Sequence, residues 1–238
     1  MSVAGDAATP VDTASDSLVA DGPEWTGQRL RWALPLLYGT NRRGTTDVST
    51  VAAGLGVSRS TVYRWIADPD AVIPAGRAHQ ILQAALPDPV TLRRERQALD
   101  YAVDAIDAIR RPRGRSIKPE WREQLWLEPH LVATLDLDLV QLLQLATTRI
   151  SGRGVADLER RATFADFTTV PTRFHATVLI QSVLDQVRPW RIQARALSIG
   201  VGPTRTWSGD APAVSLSGQL ATLLEWLEEP AATRRRIV

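Results

Sequence analysis

The stretch Thr46–Asp68, TDVSTVAAGLGVSRSTVYRWIAD, decides how the rest of the chain is read. Val48, Val51, Ala52 and Leu55 recur at i, i+3, i+4 and i+7, the spacing of one buried helix face. Asp47 stands just ahead of them, where a side-chain oxygen accepts the unpaired N–H groups of a first turn. Gly56 follows directly, at the position where a positive φ ends a helix and redirects the chain. Val57 is then placed to fill the gap between two helices, Ser58 to cap the second, and Val62, Trp65 and Ile66 to bury its inner face. The pattern predicts two short helices joined by a tight turn, crossing where Ala52 leaves room.

The remaining positions of the second helix are Ser58, Arg59, Ser60, Thr61, Tyr63 and Arg64. Hydroxyl and guanidinium groups on one helix suit phosphate oxygens and base edges. With its small residue at Ala52, its glycine at Gly56 and its β-branched Val62, the segment resembles the helix-turn-helix of phage repressors and related bacterial regulators. That resemblance covers about 20 of the 238 residues. It implies that the start of the second helix enters the major groove of double-stranded DNA. Arg59, Ser60, Tyr63 and Arg64 would then reach base edges while Ser58 or Thr61 touches phosphate. Arg42 and Arg43, in the loop ahead of the motif, are candidates for further phosphate contacts. The run Gly56–Arg64 also looks like that of terminal proteins of linear actinobacterial replicons. A replicon-maintenance protein (terminal protein, replication initiator or centromere binder) is therefore the alternative to a transcriptional repressor of a mobile element, and no priming residue carries over.

Around the motif, Trp25, Leu30, Ala33, Leu34 and Leu37 predict a preceding helix ending near Gly39, shortened or kinked at Pro35. Pro74 opens another, with Ala78, Ile81, Leu82 and Ala85 on one face. Leu92, Leu99, Val103, Ile106 and Ile109 mark a long helix with a nearly heptad stripe. It is expected to pack on the bundle, with pairing against a second copy in a homodimer as the other way to bury it. Residues 23–110 are thus expected to form a helix-turn-helix domain. The stretch 111–119, rich in Pro, Gly and basic residues, would be a linker.

Charge is unevenly spread along the chain. The formal net charge is +2, yet all 28 basic residues except Lys118 are arginine, the residue suited to bidentate contacts with phosphate and guanine. Met1–Gly22 carries four aspartates and no cation and reads as a disordered acidic tail. Pro23–Glu128 is net +4 and Pro129–Val238 net +2, with a basic tail over 231–238. A basic body behind an acidic tail is the footprint of a polyanion partner. The absence of cysteine excludes disulfides and thiolate chemistry, and no apolar run is long enough for a membrane span, so a cytoplasmic protein with no membrane partner is expected.

In the second half, LVATLDLDL over Leu131–Leu139 alternates strictly and predicts a half-exposed strand. Val140–Ile150 and Val155–Phe167 read as helices, Thr172–Val187 as another, and Arg191–Val201 as a second strand. Leu220, Leu223, Leu224 and Leu227 line a final amphipathic helix. The expected fold is mainly α: an N-terminal helix-turn-helix domain followed by a smaller α+β domain over 120–230, serving dimerisation, ligand sensing or a second DNA contact. Asp136 and Asp138 form a D-x-D pair that would suit a divalent cation in a metal-dependent DNA-processing enzyme, but no third carboxylate lies close in sequence. His79, His130 and His175 lack metal-ligand spacing, Gly200-Val201-Gly202 reads as a turn, and no phosphate loop of the G-x-x-x-x-G-K-[ST] type occurs. No catalytic residue, metal or cofactor is therefore expected. The eight tryptophans are expected to anchor cores.

Overall fold

The computed structural model describes residues 23–111, 117–137, 141–151, 153–193 and 205–229. The acidic tail, most of the 111–119 stretch, Asp138, the Gly200–Gly202 turn, most of the second predicted strand and the basic tail lie outside them.

The N-terminal unit is four helices: α1 (Gly27–Tyr38), α2 (Val48–Leu55), α3 (Arg59–Ala67) and α4 (Ala75–Ala85). Thr26 caps α1 by accepting from the Arg29 N–H, and the helix runs through Pro35 to Gly39, whose φ of 83° stops it. Leu30, Leu34, Val51, Leu55, Val62 and Ile81 are all but inaccessible and form one core. Each contributes about 1.5–3 kcal/mol through removal of its apolar surface from water. The start of α1 lies against the end of α3 so closely that a Cβ on Gly27 would come within 1.9 Å of the Asp68 carbonyl oxygen.

The long helix α5 (Pro89–Arg110) starts at Asp88, whose carboxylate accepts the Val90 and Thr91 N–H groups. Its stripe does not pack on this bundle. Ala102, Ala105 and Ile106 lie in a second core with Phe174, Leu179 and Val183, where small residues let α5 approach α8 (Arg173–Gln186) closely. The two cores therefore divide between Ala85 and Leu99, ahead of the 111–119 stretch.

Helix predominates, but the chain is mixed α and β, and its second unit is not the smaller one. After the short α6 (Pro119–Glu123), β1 (His130–Leu137), β2 (Leu142–Arg149), β3 (Thr163–Val170) and β4 (Thr206–Ser208) build a four-stranded antiparallel sheet in the order β3-β1-β2-β4. Together with α5, α7 (Gly154–Glu159), α8 and α9 (Leu216–Glu228), it makes a second, mixed α and β unit that is larger than the N-terminal one. Two predicted helices are corrected here. Val140–Ile150 contains β2: Leu142, Leu143 and Leu145 satisfy a helical period as well as an alternating one, and pairing with β1 through Val132↔Thr147 and Leu135↔Gln144 selects the strand. Val155–Phe167 holds only the end of the six-residue α7 and the start of β3, whose positions alternate from outward to inward up to Val170. The β1 strand is also not half-exposed. As a central strand it is covered on both faces, Val132 by the α8 core and Leu131, Ala133 and Leu135 by a smaller cluster with Leu158 of α7.

The two units meet at the end of the sheet. Leu142 and Ile192 enter the N-terminal core, the Gln193 N–H donates to the Ala85 carbonyl at 2.7 Å, and the Arg29 guanidinium crosses to Ser208 (2.9 Å) and Asp210.

Candidate nucleic-acid interface

Both helix starts and the turn of the α2–turn–α3 segment are satisfied by its own residues. The Asp47 carboxylate accepts from the Ser49 and Thr50 N–H groups at 3.1 and 3.2 Å and from the Thr50 hydroxyl at 2.8 Å. Those bonds, the Thr50 hydroxyl's first, hold its carboxyl below the usual range. Gly56 adopts φ 60°, ψ 40°, and the Val57 N–H reaches back to the Ala52 carbonyl at 3.0 Å. Ser58 Oγ accepts the Thr61 N–H at 3.1 Å and lies 2.8 Å from both the Ser60 and Thr61 hydroxyls. Val62 and Trp65 turn inward, and Ala52 is buried where α2 meets α3.

Two further arginines fix the motif from outside. Arg77 Nη1 donates to the Leu55 carbonyl at 2.6 Å, and Arg31 donates to the Ile66 and Ala67 carbonyls at 2.6 and 2.8 Å. Each places a cation on the C-terminal carbonyls of a helix, where the peptide dipoles favour positive charge. The sequence marked neither, because a carbonyl partner leaves no trace in residue spacing.

The face of α3 opposite Val62 and Trp65 carries Arg59, Ser60, Tyr63 and Arg64, all exposed. Arg59 and Tyr63, and Ser60 and Arg64, are i, i+4 pairs, so the four form adjacent rows on one surface. Tyr63 is 61% exposed, and no acidic partner lies within salt-bridge distance of Arg59 or Arg64 among the described residues. Thr61 is half-buried and tied to the cap. Arg42 and Arg43 occupy the tip of a built turn: Thr40 bridges Thr46, and the Asn41 side chain accepts the Arg43 N–H at 2.8 Å while donating to the Thr45 hydroxyl at 2.7 Å. That turn leads into the cap of α2, so its two cations stand at the entry of the motif while the reading side chains stand on α3.

The other candidates fall elsewhere. Asp136 lines a cavity of about 570 Å³ with Arg29, Trp32 and Asp210, remote in sequence from the motif. His130 Nδ1 lies 2.8 Å from the Glu128 carbonyl oxygen, and burial lowers its pKa. His175 Nδ1 lies 2.8 Å from the Thr172 hydroxyl at the start of α8; burial first, and the Arg110 charge second, lower its pKa to about 4. Trp25, Trp65, Trp121 and Trp207 are buried in the two main cores. Among the described residues no helix is long and apolar enough to cross a membrane, and no group of three His, Asp or Glu side chains is placed to hold a metal ion. No family model, curated protein or solved structure matches this chain.

Proposed function

We propose that the chain is a sequence-specific double-stranded DNA-binding regulator, acting as a non-catalytic repressor of the kind carried by phages and plasmids. One observation carries this reading. On a helix whose ends and inner face are fully engaged, Arg59, Ser60, Tyr63 and Arg64 share one exposed surface, and among the described residues no acid pairs with the two arginines. A face that served only solubility would gain from carboxylates four residues from its arginines. α3 carries none.

In this reading Arg42 and Arg43 supply sequence-independent phosphate contacts, and the α3 face supplies readout. An arginine bidentate to guanine contributes about 1–3 kcal/mol of discrimination. The test is selection of bound fragments from random duplex DNA by the full chain. An enriched motif supports a sequence-reading protein, and its symmetry reports whether one or two copies bind. Uniform recovery of fragments would overturn the reading. Protein recovered covalently attached to DNA ends would replace the repressor with a replicon-end protein, and magnesium-dependent cleavage of the bound fragments would replace it with an enzyme.

A further inference from the structure

A second, smaller cavity of about 170 Å³ opens between α5 and α8, distinct from the α3 face. Its volume equals roughly six water molecules in the liquid, below the range of drug-sized sites. Gln181 of α8 is one wall, with a side chain only 8% exposed. It makes no hydrogen bond among the described residues. Asp185, one turn on, is another, and its Oδ2 is buried without a hydrogen-bond partner among the described residues. Burial pushes its carboxyl above the usual range, against the pull of Arg188, Arg191 and Arg96. Arg191, 3% exposed, is held by both Glu95 carboxylate oxygens at 2.9 and 3.1 Å.

A buried polar atom left unpaired costs about 1–3 kcal/mol, so Asp185 Oδ2, one turn from the unbonded amide of Gln181, points to a ligand that satisfies it. The charges narrow its chemistry. The Glu95–Arg191 pair is neutral together, and the exposed rim arginines Arg93, Arg96 and Arg188 have no acidic partner within salt-bridge distance among the described residues. Among the described residues lining the cavity, Asp185 alone stands against them, leaving two unbalanced positive charges, which a phosphate monoester matches near neutral pH. Asp185 and the Gln181 carbonyl accept hydrogen bonds, so the ligand also carries a donor. A duplex phosphodiester has none to offer, which sets a small molecule apart from DNA at this place.

We propose that this cavity binds a small phosphate monoester bearing a hydroxyl or amino group, with the phosphate on the rim arginines and the donor on Asp185 and Gln181. The site adjoins the N-terminal unit. Arg191 precedes Ile192, which is buried in the helix-turn-helix core, and Gln193, which bonds to the last residue of α4. Occupancy as a control of DNA binding rests on the function proposed above; occupancy itself does not.

The experiment is calorimetric titration of the DNA-free full chain with phosphoserine, and with inorganic phosphate at matched ionic strength. Phosphoserine is expected to bind at least tenfold more tightly than phosphate. Asp185→Asn and Gln181→Leu should erase that margin while leaving phosphate binding in place, and Arg96→Ala should weaken both. Equal binding of the two probes, unchanged in Asp185→Asn, would reduce the site to a basic surface and overturn the proposal. So would the absence of saturable phosphoserine binding by wild type at millimolar concentration.

Discussion

Arg59 and Arg64 on α3 and Arg29 and Arg191 at the junction of the two units are the same residue type in opposite circumstances. The first pair is exposed with no acidic partner among the described residues. The second pair is 5% and 3% exposed and is bound to Asp210 and Glu95. Arg29 also lies between the rings of Trp25 and Trp32, with its guanidinium carbon 5.0 and 5.4 Å from their centroids. A basic chain thus spends part of its arginine on architecture, and only the remainder is free for a polyanion. Mutations in the two places should therefore separate stability from binding.

The largest expected effect lies at the junction. Arg191→Ala strands the Glu95 carboxylate at a largely buried position and should lower unfolding free energy by about 3 kcal/mol in a denaturant titration. Loss below about 1 kcal/mol would mean that water already solvates the pair. Next comes acid sensitivity of the sheet unit through His175. Its folded pKa, about 4, lies below the ordinary 6.5, so the unfolded chain takes up the proton first. Its contribution is complete above pH 6.5 and is lost as pH falls toward 4, on the order of 3 kcal/mol. His175→Gln should flatten stability across that window, and a slope identical to wild type would refute the assignment.

On the exposed side, Arg59→Ala and Arg64→Ala should each cost about 2 kcal/mol of affinity for a selected duplex, with stability changed by less than about 0.5 kcal/mol. Thermal melts run beside binding curves would expose any failure of that separation. The smallest effect belongs to the cap: Ser58→Ala removes the acceptor of the Thr61 N–H and should destabilise by about 1 kcal/mol. A larger loss of DNA affinity than of stability in that variant would show that the Ser58 hydroxyl also touches phosphate.

The helices α2 and α3 and the turn between them were legible because their determinants are local. Asp47, Gly56 and Ser58 each act within four residues of themselves, and Val48–Leu55 repeats at the helical period. β2 was not legible, because its leucine-rich run carries both periods and the partner strand decides between them, and β3 was not, because it follows the short helix α7 within one apparently continuous stretch and is selected by pairing with β1. The partition of the arginines was hidden for a related reason. Arg29 meets Asp210 at a separation of 181 residues and Arg191 meets Glu95 at 96, distances over which no pattern in the chain reports pairing. The same holds for α5, whose stripe was visible but whose partner, α8, was not.

The central claim is that the exposed face of α3 reads DNA sequence. Selection from random duplexes, run in parallel on wild type and the Arg59→Ala/Arg64→Ala chain, bears on it most directly. Wild type should enrich one motif, and the variant should retain weak, salt-sensitive binding with no motif. The same motif from both proteins, or none from wild type, would contradict it.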